Sequence, residues 1–83
     1  MAATDTRDAA TALKVKGNKA FAEHDWPTAI DFYTQAIEKY DKDPAIFSNR
    51  AQTNIKLESY GYAIADATKA IELDPNFIKV CIS

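Results

Sequence analysis

The chain has 83 residues, of which 47% are hydrophobic and 27% charged, so its composition is that of an ordinary globular domain with room for one domain only. Its formal net charge of −2 gives no overall attraction to nucleic acid or to an anionic membrane. No apolar run reaches the roughly 20 residues that span a bilayer, and the start from Met1 to Ala10 is too polar for a signal peptide. With a single cysteine, Cys81, these features predict a cytoplasmic or nuclear location.

Four helices are predicted in chain order, because apolar residues recur at intervals of three and four. Residues 1–6 are expected to form a flexible tail. Pro27 and Pro44 each stand at a predicted first turn, where the missing amide hydrogen would have had no partner inside the helix. The predicted helices are Arg7 to Glu23, Pro27 to Tyr40, Pro44 to Leu57 and Tyr60 to Leu73.

A repeat of 34 residues organises these helices into pairs. A shift of the sequence by 34 positions aligns Trp26 with Tyr60, Ala29 with Ala63, and Ala36 with Ala70. This period, with small residues at fixed positions, is the signature of tetratricopeptide (TPR) repeats. It predicts an all-α fold of helical hairpins in a right-handed superhelical stack. The predicted domain spans 7–83, with complete repeats at about 10–43 and 44–77 and a truncated third at 78–83.

The same alignment assigns structural roles to particular side chains. Small residues are expected where helix backbones approach closely, and large aromatic residues are expected to fill the wider gaps of the core. The first group is Gly17, Ala29, Ala51 and Ala63, and the second is Trp26, Phe32 and Tyr60.

Residues for catalysis or metal binding are not apparent. His24 is the only histidine and is predicted to lie in the turn between the first two helices. Without a second histidine or cysteine, no four-ligand zinc site can be assembled. The acidic residues Asp66, Glu72 and Asp74 are interpreted as a solvated helix face. We therefore predict a protein with no catalytic residues, no metal and no cofactor.

Basic and amide side chains on the first helix of each repeat suggest a binding groove instead. Lys14 and Asn18 are four residues apart and share one helix face, while Asn49 and Lys79 occupy the first helices of the next two repeats. In a TPR array these helices line the concave side. Ammonium and amide groups there suit the carboxylates of an extended acidic peptide, although lone lysines and asparagines are more often plain surface residues.

Three segments carry a more specific resemblance: LKVKGNKAF, FSNRA and NFIKV resemble the dicarboxylate-clamp TPR domains of co-chaperones. The stretch YGYAIADATKAIELDPNFIKV resembles the amino-terminal TPR domains of phosphatase 5-type serine/threonine phosphatases. The resemblance implies that the partner is the C-terminal Glu-Glu-Val-Asp peptide of a cytosolic heat-shock chaperone. It assigns the clamp to Lys14, Asn18, Asn49 and Lys79, with Phe21, Gln52 and Lys56 as auxiliary groove residues.

One clamp position departs from this family. The arginine that the family has four residues after the last clamp lysine is replaced here by Ser83. A charge-assisted hydrogen bond contributes about 1.5 to 3 kcal/mol, so this difference is expected to weaken a clamp by about tenfold to 150-fold.

Two other interpretations remain open at this point. An uncovered apolar edge of the last complete helix, Tyr60 to Leu73, would favour a homodimer, through that edge or by exchange of helices. The resemblance alone further implies a regulatory role, in which the domain covers a phosphatase active site until a chaperone peptide binds. Neither nucleic acid nor a membrane is expected as a partner.

Overall fold

The computed structural model describes residues 2–76, with side chains described from residue 6 onward. Within this range the chain forms four α-helices: α1 (Ala2–Ala22), α2 (Trp26–Lys39), α3 (Pro44–Lys56) and α4 (Tyr60–Leu73). Helix α1 packs against α2, and α3 packs against α4. The two pairs meet where α2 packs on α3, and α1 also approaches α3. The predicted all-α architecture of helix pairs is confirmed.

The first helix is longer than predicted. Helix α1 begins at Ala2 rather than Arg7, so residues 2–6 are helical and not the predicted tail. This segment contains neither proline nor glycine, and it opens with two alanines, the residue that favours helix most. The remaining helix limits agree with the prediction within one residue, and α4 has the predicted limits.

The 34-residue repeat is visible in the backbone of the turns. His24 and Glu58 lie 34 positions apart, and both have φ of 62°, in the left-handed region. Each is followed by a residue whose amide bonds back into the preceding helix: Asp25 N donates to Ala20 O at 2.9 Å, and Ser59 N donates to Asn54 O at 2.8 Å. The same turn therefore closes both hairpins, and the predicted position of His24 in a turn is confirmed.

Small residues allow the close approach of α1 and α2. A Cβ atom added to Gly17 would lie 2.5 Å from Cε1 of Tyr33, whose side chain is buried. Ala29 and Ala36 on α2 have no exposed surface. Glycine is thus required at position 17 because the Tyr33 ring fills the space that a side chain would need.

Two predictions about individual residues are wrong. Tyr60 was expected in the core but is 57% exposed, because no described element covers its side of α4, while Trp26 and Phe32 are half-buried. Asp66 was expected on a solvated face but is buried. Its carboxylate turns inward because Arg50 on α3 lies opposite and forms an ion pair with it at 2.7 Å.

Candidate functional site

Two asparagines from different repeats meet in a cleft between α1 and α3. Asn18 Oδ1 accepts a hydrogen bond of 3.0 Å from Asn49 Nδ2 and a second one of 2.6 Å from the hydroxyl of Tyr33. The cleft has a volume of about 180 Å³. It is lined by Asn18, Phe21, Tyr33, Asn49 and Gln52, four of which were predicted from the sequence.

Tyr33 fixes the orientation of the Asn18 amide. A tyrosine hydroxyl is protonated at neutral pH and can act as a donor, and burial raises the pKa of Tyr33 further, to about 12. With Asn18 Oδ1 held by Tyr33 and Asn49, the Nδ2 group of Asn18 is left with two N–H donors, and no acceptor among the described residues binds them. Paired N–H donors at the edge of a cleft suit a carboxylate ligand.

Lys14 lies one helical turn before Asn18 on α1. Its ammonium group forms an ion pair of 3.4 Å with Oδ2 of Asp43, the residue that caps the N-terminus of α3. Both side chains are partly exposed, at 23% and 27%. The predicted clamp lysine thus stands next to the asparagine pair, but it is already partnered by a carboxylate of the chain itself.

An aromatic cluster lies at the end of α1. The ring of Phe21 packs edge-on against Trp26 with centroids 5.0 Å apart, and His24 stacks on Trp26 at 5.2 Å. Lys56, the last residue of α3, also contacts this cluster, with its Nζ atom 6.0 Å from the Trp26 ring centroid. Phe21 therefore belongs to both the cleft and the cluster, whereas Lys56 contacts the cluster and does not line the cleft.

A larger cleft, of about 550 Å³, lies among α2, α3 and α4. Its charged groups are Arg50 and Asp66, which are bound to each other: Arg50 Nε and Nη2 donate to the two carboxylate oxygens at 2.9 and 2.7 Å. Asp66 also accepts from Asn54 Nδ2 at 3.0 Å, and Arg50 Nη1 donates to the Thr34 hydroxyl. Because the two groups are engaged with each other, the smaller cleft is the better candidate for binding an anion.

Other kinds of site find no support in the described residues. None of their histidine, cysteine, aspartate and glutamate side chains form a group of three or more that could hold a metal ion. In the same range, no helix is both long and apolar enough to cross a membrane.

Comparison with known proteins identifies the family. No family model matches the chain. A serine/threonine-protein phosphatase T of Aspergillus oryzae is 71% identical over 79 residues, covering 95% of this chain and 16% of the phosphatase. Among solved structures, the second TPR domain of Spaghetti (RPAP3), bound to the HSP90 peptide SRMEEVD, has a TM-score of 0.85 and 32% identity. That similarity covers 90% of this chain and 69% of the Spaghetti chain.

The chain belongs to the tetratricopeptide repeat family. The TPR2B domain of yeast Sti1, solved in complex with pHsp70, is similar as well, with a TM-score of 0.82 and 43% identity over 84% of this chain and 56% of that one. The TPR assignment made from the 34-residue period is confirmed. The chain corresponds to only a small part of the phosphatase that it matches.

The predicted TPR groove residues are only partly brought together by the structure. Asn18, Asn49, Phe21 and Gln52 line one cleft. Lys14, one helical turn before Asn18, is paired with Asp43, and Lys56, one turn after Gln52, contacts Trp26; neither lysine lines the cleft. The predicted clamp residue Lys79 and the divergent position Ser83 lie outside the described residues.

Two side chains that shape the groove were not predicted from the sequence. Tyr33 belongs to the apolar spacing of α2, and nothing in that spacing reveals that its hydroxyl reaches Asn18. Asp43 directly precedes Pro44, a pattern typical of a helix N-cap, so its place at the start of α3 could have been predicted. Its contact with Lys14, 29 residues away, could not.

Proposed function

We propose that this TPR module binds the acidic C-terminal peptide of a heat-shock chaperone, with the peptide carboxylates held by Lys14, Asn18 and Asn49. The observation that carries the proposal is the asparagine pair: two helices place their amides 3.0 Å apart and leave the Asn18 Nδ2 donors directed away from the bond. Solved TPR relatives with bound HSP90 and Hsp70 peptides support the class of ligand.

The groove chemistry favours a free C-terminal acid. A terminal aspartate carries two carboxylates, one on the main chain and one on the side chain, and can engage amide and ammonium donors together. In the larger cleft the lining cation, Arg50, is already bound to Asp66, and the other possible donors, such as the hydroxyls of Ser59 and Tyr62, are neutral. Lys79, in the predicted third repeat, is proposed to contribute a further ammonium group to the clamp.

Similarity to phosphatase T extends the proposal to a larger protein. We propose that the module is the regulatory targeting domain of a serine/threonine protein phosphatase, in which chaperone binding brings the phosphatase to its substrates. A cytoplasmic and nuclear location would suit that role, because the proposed partners are cytosolic chaperones.

Calorimetry tests the proposed ligand directly. The peptide SRMEEVD, as a free acid and as its C-terminal amide, is titrated into the native chain and three variants. We expect the native chain to prefer the free acid, and Lys14→Ala to weaken its binding by about tenfold, the lower end of the range for a charge-assisted hydrogen bond. Lys16→Ala, an exposed lysine two residues away, is the matched control and should bind as the native chain does.

Asn18→Asp separates binding from folding. The aspartate can still accept from Tyr33 and Asn49, so the fold should be retained, but it loses the two free N–H donors and adds a negative charge. We expect its affinity for the free acid to fall by at least about tenfold. Equal affinity for acid and amide, or unchanged binding by both Lys14→Ala and Asn18→Asp, would reject the proposed clamp.

Helix α4 supports a second candidate function, self-association. Tyr60, Ile64 and Ile71 are 57%, 66% and 41% exposed, and their spacing places them along one face of α4. A second copy of the chain could cover this stripe with its own, since a twofold interface is self-complementary. Light scattering across a concentration series tests this: a dimer that dissociates in an Ile64→Lys variant supports it, and a monomer at all concentrations rejects it.

A further inference from the structure

Asp43 links the start of α3 to the candidate groove. Its Oδ1 accepts a hydrogen bond of 3.0 Å from the amide of Ala45, the N-cap interaction of α3. Its Oδ2 faces the ammonium group of Lys14 on α1 at 3.4 Å. Oδ1 of Asp43 therefore caps helix α3, and Oδ2 pairs with the lysine that a peptide carboxylate would bind.

The Asp43 side chain is held by its cap bond, but its contact with Lys14 can be exchanged for another carboxylate. The cap bond fixes the Asp43 side chain, so its charge stays next to Lys14 whether or not a ligand is present. Both groups are partly exposed, and ion pairs of this kind contribute little to stability. An ammonium has three donors and could bind a second carboxylate, but that carboxylate would then lie a few ångströms from Asp43 and be repelled by it.

We propose that Asp43 is an affinity-limiting residue of the groove: an internal carboxylate that competes with the peptide for Lys14. This inference rests on the proposed function. A peptide carboxylate that binds Lys14 must replace Asp43, so one ion pair is exchanged for another and the gain at this position is small. A second peptide carboxylate can bind the asparagine amides, where Asp43 does not compete. Asp43 therefore lowers the affinity of the groove for acidic peptides.

The variant Asp43→Asn isolates the charge. Asparagine is as good an N-cap as aspartate, so the bond to Ala45 and helix α3 should be retained. Asp41→Asn makes the same change in charge at an exposed residue two positions earlier and is the matched control. A melting curve by circular dichroism for each variant verifies that it is folded.

Calorimetry with SRMEEVD as a free acid, at low and at moderate salt, provides the readout. We expect Asp43→Asn to bind about fivefold more tightly than the native chain at low salt, an effect of the size of a partly exposed ion pair, and Asp41→Asn to bind about as the native chain does. The gain should shrink as salt screens the charges. In the Lys14→Ala background the gain in affinity from Asp43→Asn should be smaller than in the native chain, because competition for the ammonium group is absent and only direct repulsion by Asp43 is removed.

The outcomes separate the two proposals. If the native chain distinguishes acid from amide and loses affinity in Lys14→Ala, but Asp43→Asn binds no better than Asp41→Asn, the groove proposal stands and the role of Asp43 is rejected. If neither the native chain nor Asp43→Asn prefers the free acid, both proposals are rejected. A gain in affinity from Asp43→Asn that is as large in the Lys14→Ala background as in the native chain would also overturn competition for that lysine.

Discussion

The amide of Asn18 is fixed by Tyr33, whose buried hydroxyl donates to Asn18 Oδ1 at 2.6 Å. The tyrosine belongs to α2 and is packed against Gly17 on α1, the residue directly before Asn18. The contact that allows α1 and α2 to approach closely is therefore also the contact that orients a groove residue. Changes that disturb this packing should affect both stability and binding.

Gly17→Ala tests the close approach of α1 and α2. Its Cβ would lie 2.5 Å from the ring of Tyr33, which is 1% exposed and has little room to move. We expect a net loss of about 1 to 3 kcal/mol in the free energy of unfolding, as for other overpacked cores, even though alanine favours helix. Urea unfolding followed by circular dichroism measures the change.

Gly61→Ala is the matched control for that variant. Gly61 lies in the first turn of α4, and a Cβ there would meet no heavy atom within 4 Å. We expect the free energy of unfolding to rise, by up to about 1 kcal/mol, because alanine loses less backbone freedom on folding. Equal effects of the two substitutions would contradict the packing described for Gly17.

The hydroxyl of Tyr33 should make stability depend on pH in the alkaline range. Its pKa is about 12 in the folded chain and 10 as the reference value, so the unfolded chain releases this proton first. The contribution of Tyr33 is therefore fully present below pH 10 and is lost as pH rises toward 12, by about 2 to 3 kcal/mol in all. About half of this loss, roughly 1.3 kcal/mol, should occur between pH 9 and pH 11, and urea unfolding at these two pH values measures that part.

Tyr33→Phe provides the comparison, because phenylalanine keeps the ring and cannot ionise. We expect the variant to lose about 0.5 to 1.5 kcal/mol at neutral pH, the usual contribution of one hydrogen bond, but to lose less than the native chain does between pH 9 and pH 11. The same alkaline decline in both proteins would show that other groups cause it.

The ion pair between Arg50 and the buried Asp66 should contribute strongly to stability. Asp66 is 6% exposed and accepts from Arg50 and Asn54, so Asp66→Ala leaves a partly exposed guanidinium without its counter-ion and Asn54 without this acceptor. We expect a loss of about 2 to 4 kcal/mol, less than for a fully buried pair but a large share of the stability of a small domain. Thermal unfolding measures this loss.

Asp31→Ala serves as its control, because Asp31 is exposed and accepts only a hydrogen bond from Gln35, four residues along the same helix. Its effect should stay within about 0.5 kcal/mol. A loss of similar size in both variants would contradict the structural role of Asp66.

The repeat explains why much of the fold was predictable. The period of 34 residues requires the same turn twice, and the structure has it at His24 and Glu58. Helix starts at prolines were predicted well because proline acts locally. The start of α1 was not, since no glycine, proline or other strong boundary signal marks it.

A single side chain was placed correctly from the sequence when the residues that decide its position lie on the same helix, and incorrectly when they belong to another helix. Lys14 and Asn18 were placed on one face by helix geometry alone. Asp66 could not be assigned correctly from α4, because the cation that draws it inward belongs to α3. Tyr60 was assigned to the core by its alignment with Trp26, but burial requires a covering element, which spacing within one helix does not reveal.

Mapping the peptide on the protein by NMR tests the central claim most directly. The two-dimensional ¹H–¹⁵N spectrum of the labelled chain is recorded as SRMEEVD free acid is added, with the C-terminal amide as control. We expect the largest shifts at the side-chain amide signals of Asn18 and Asn49 and around Lys14, with the amide peptide leaving them nearly unchanged. Shifts confined to the larger cleft, at Arg50 and Tyr62, would contradict the account.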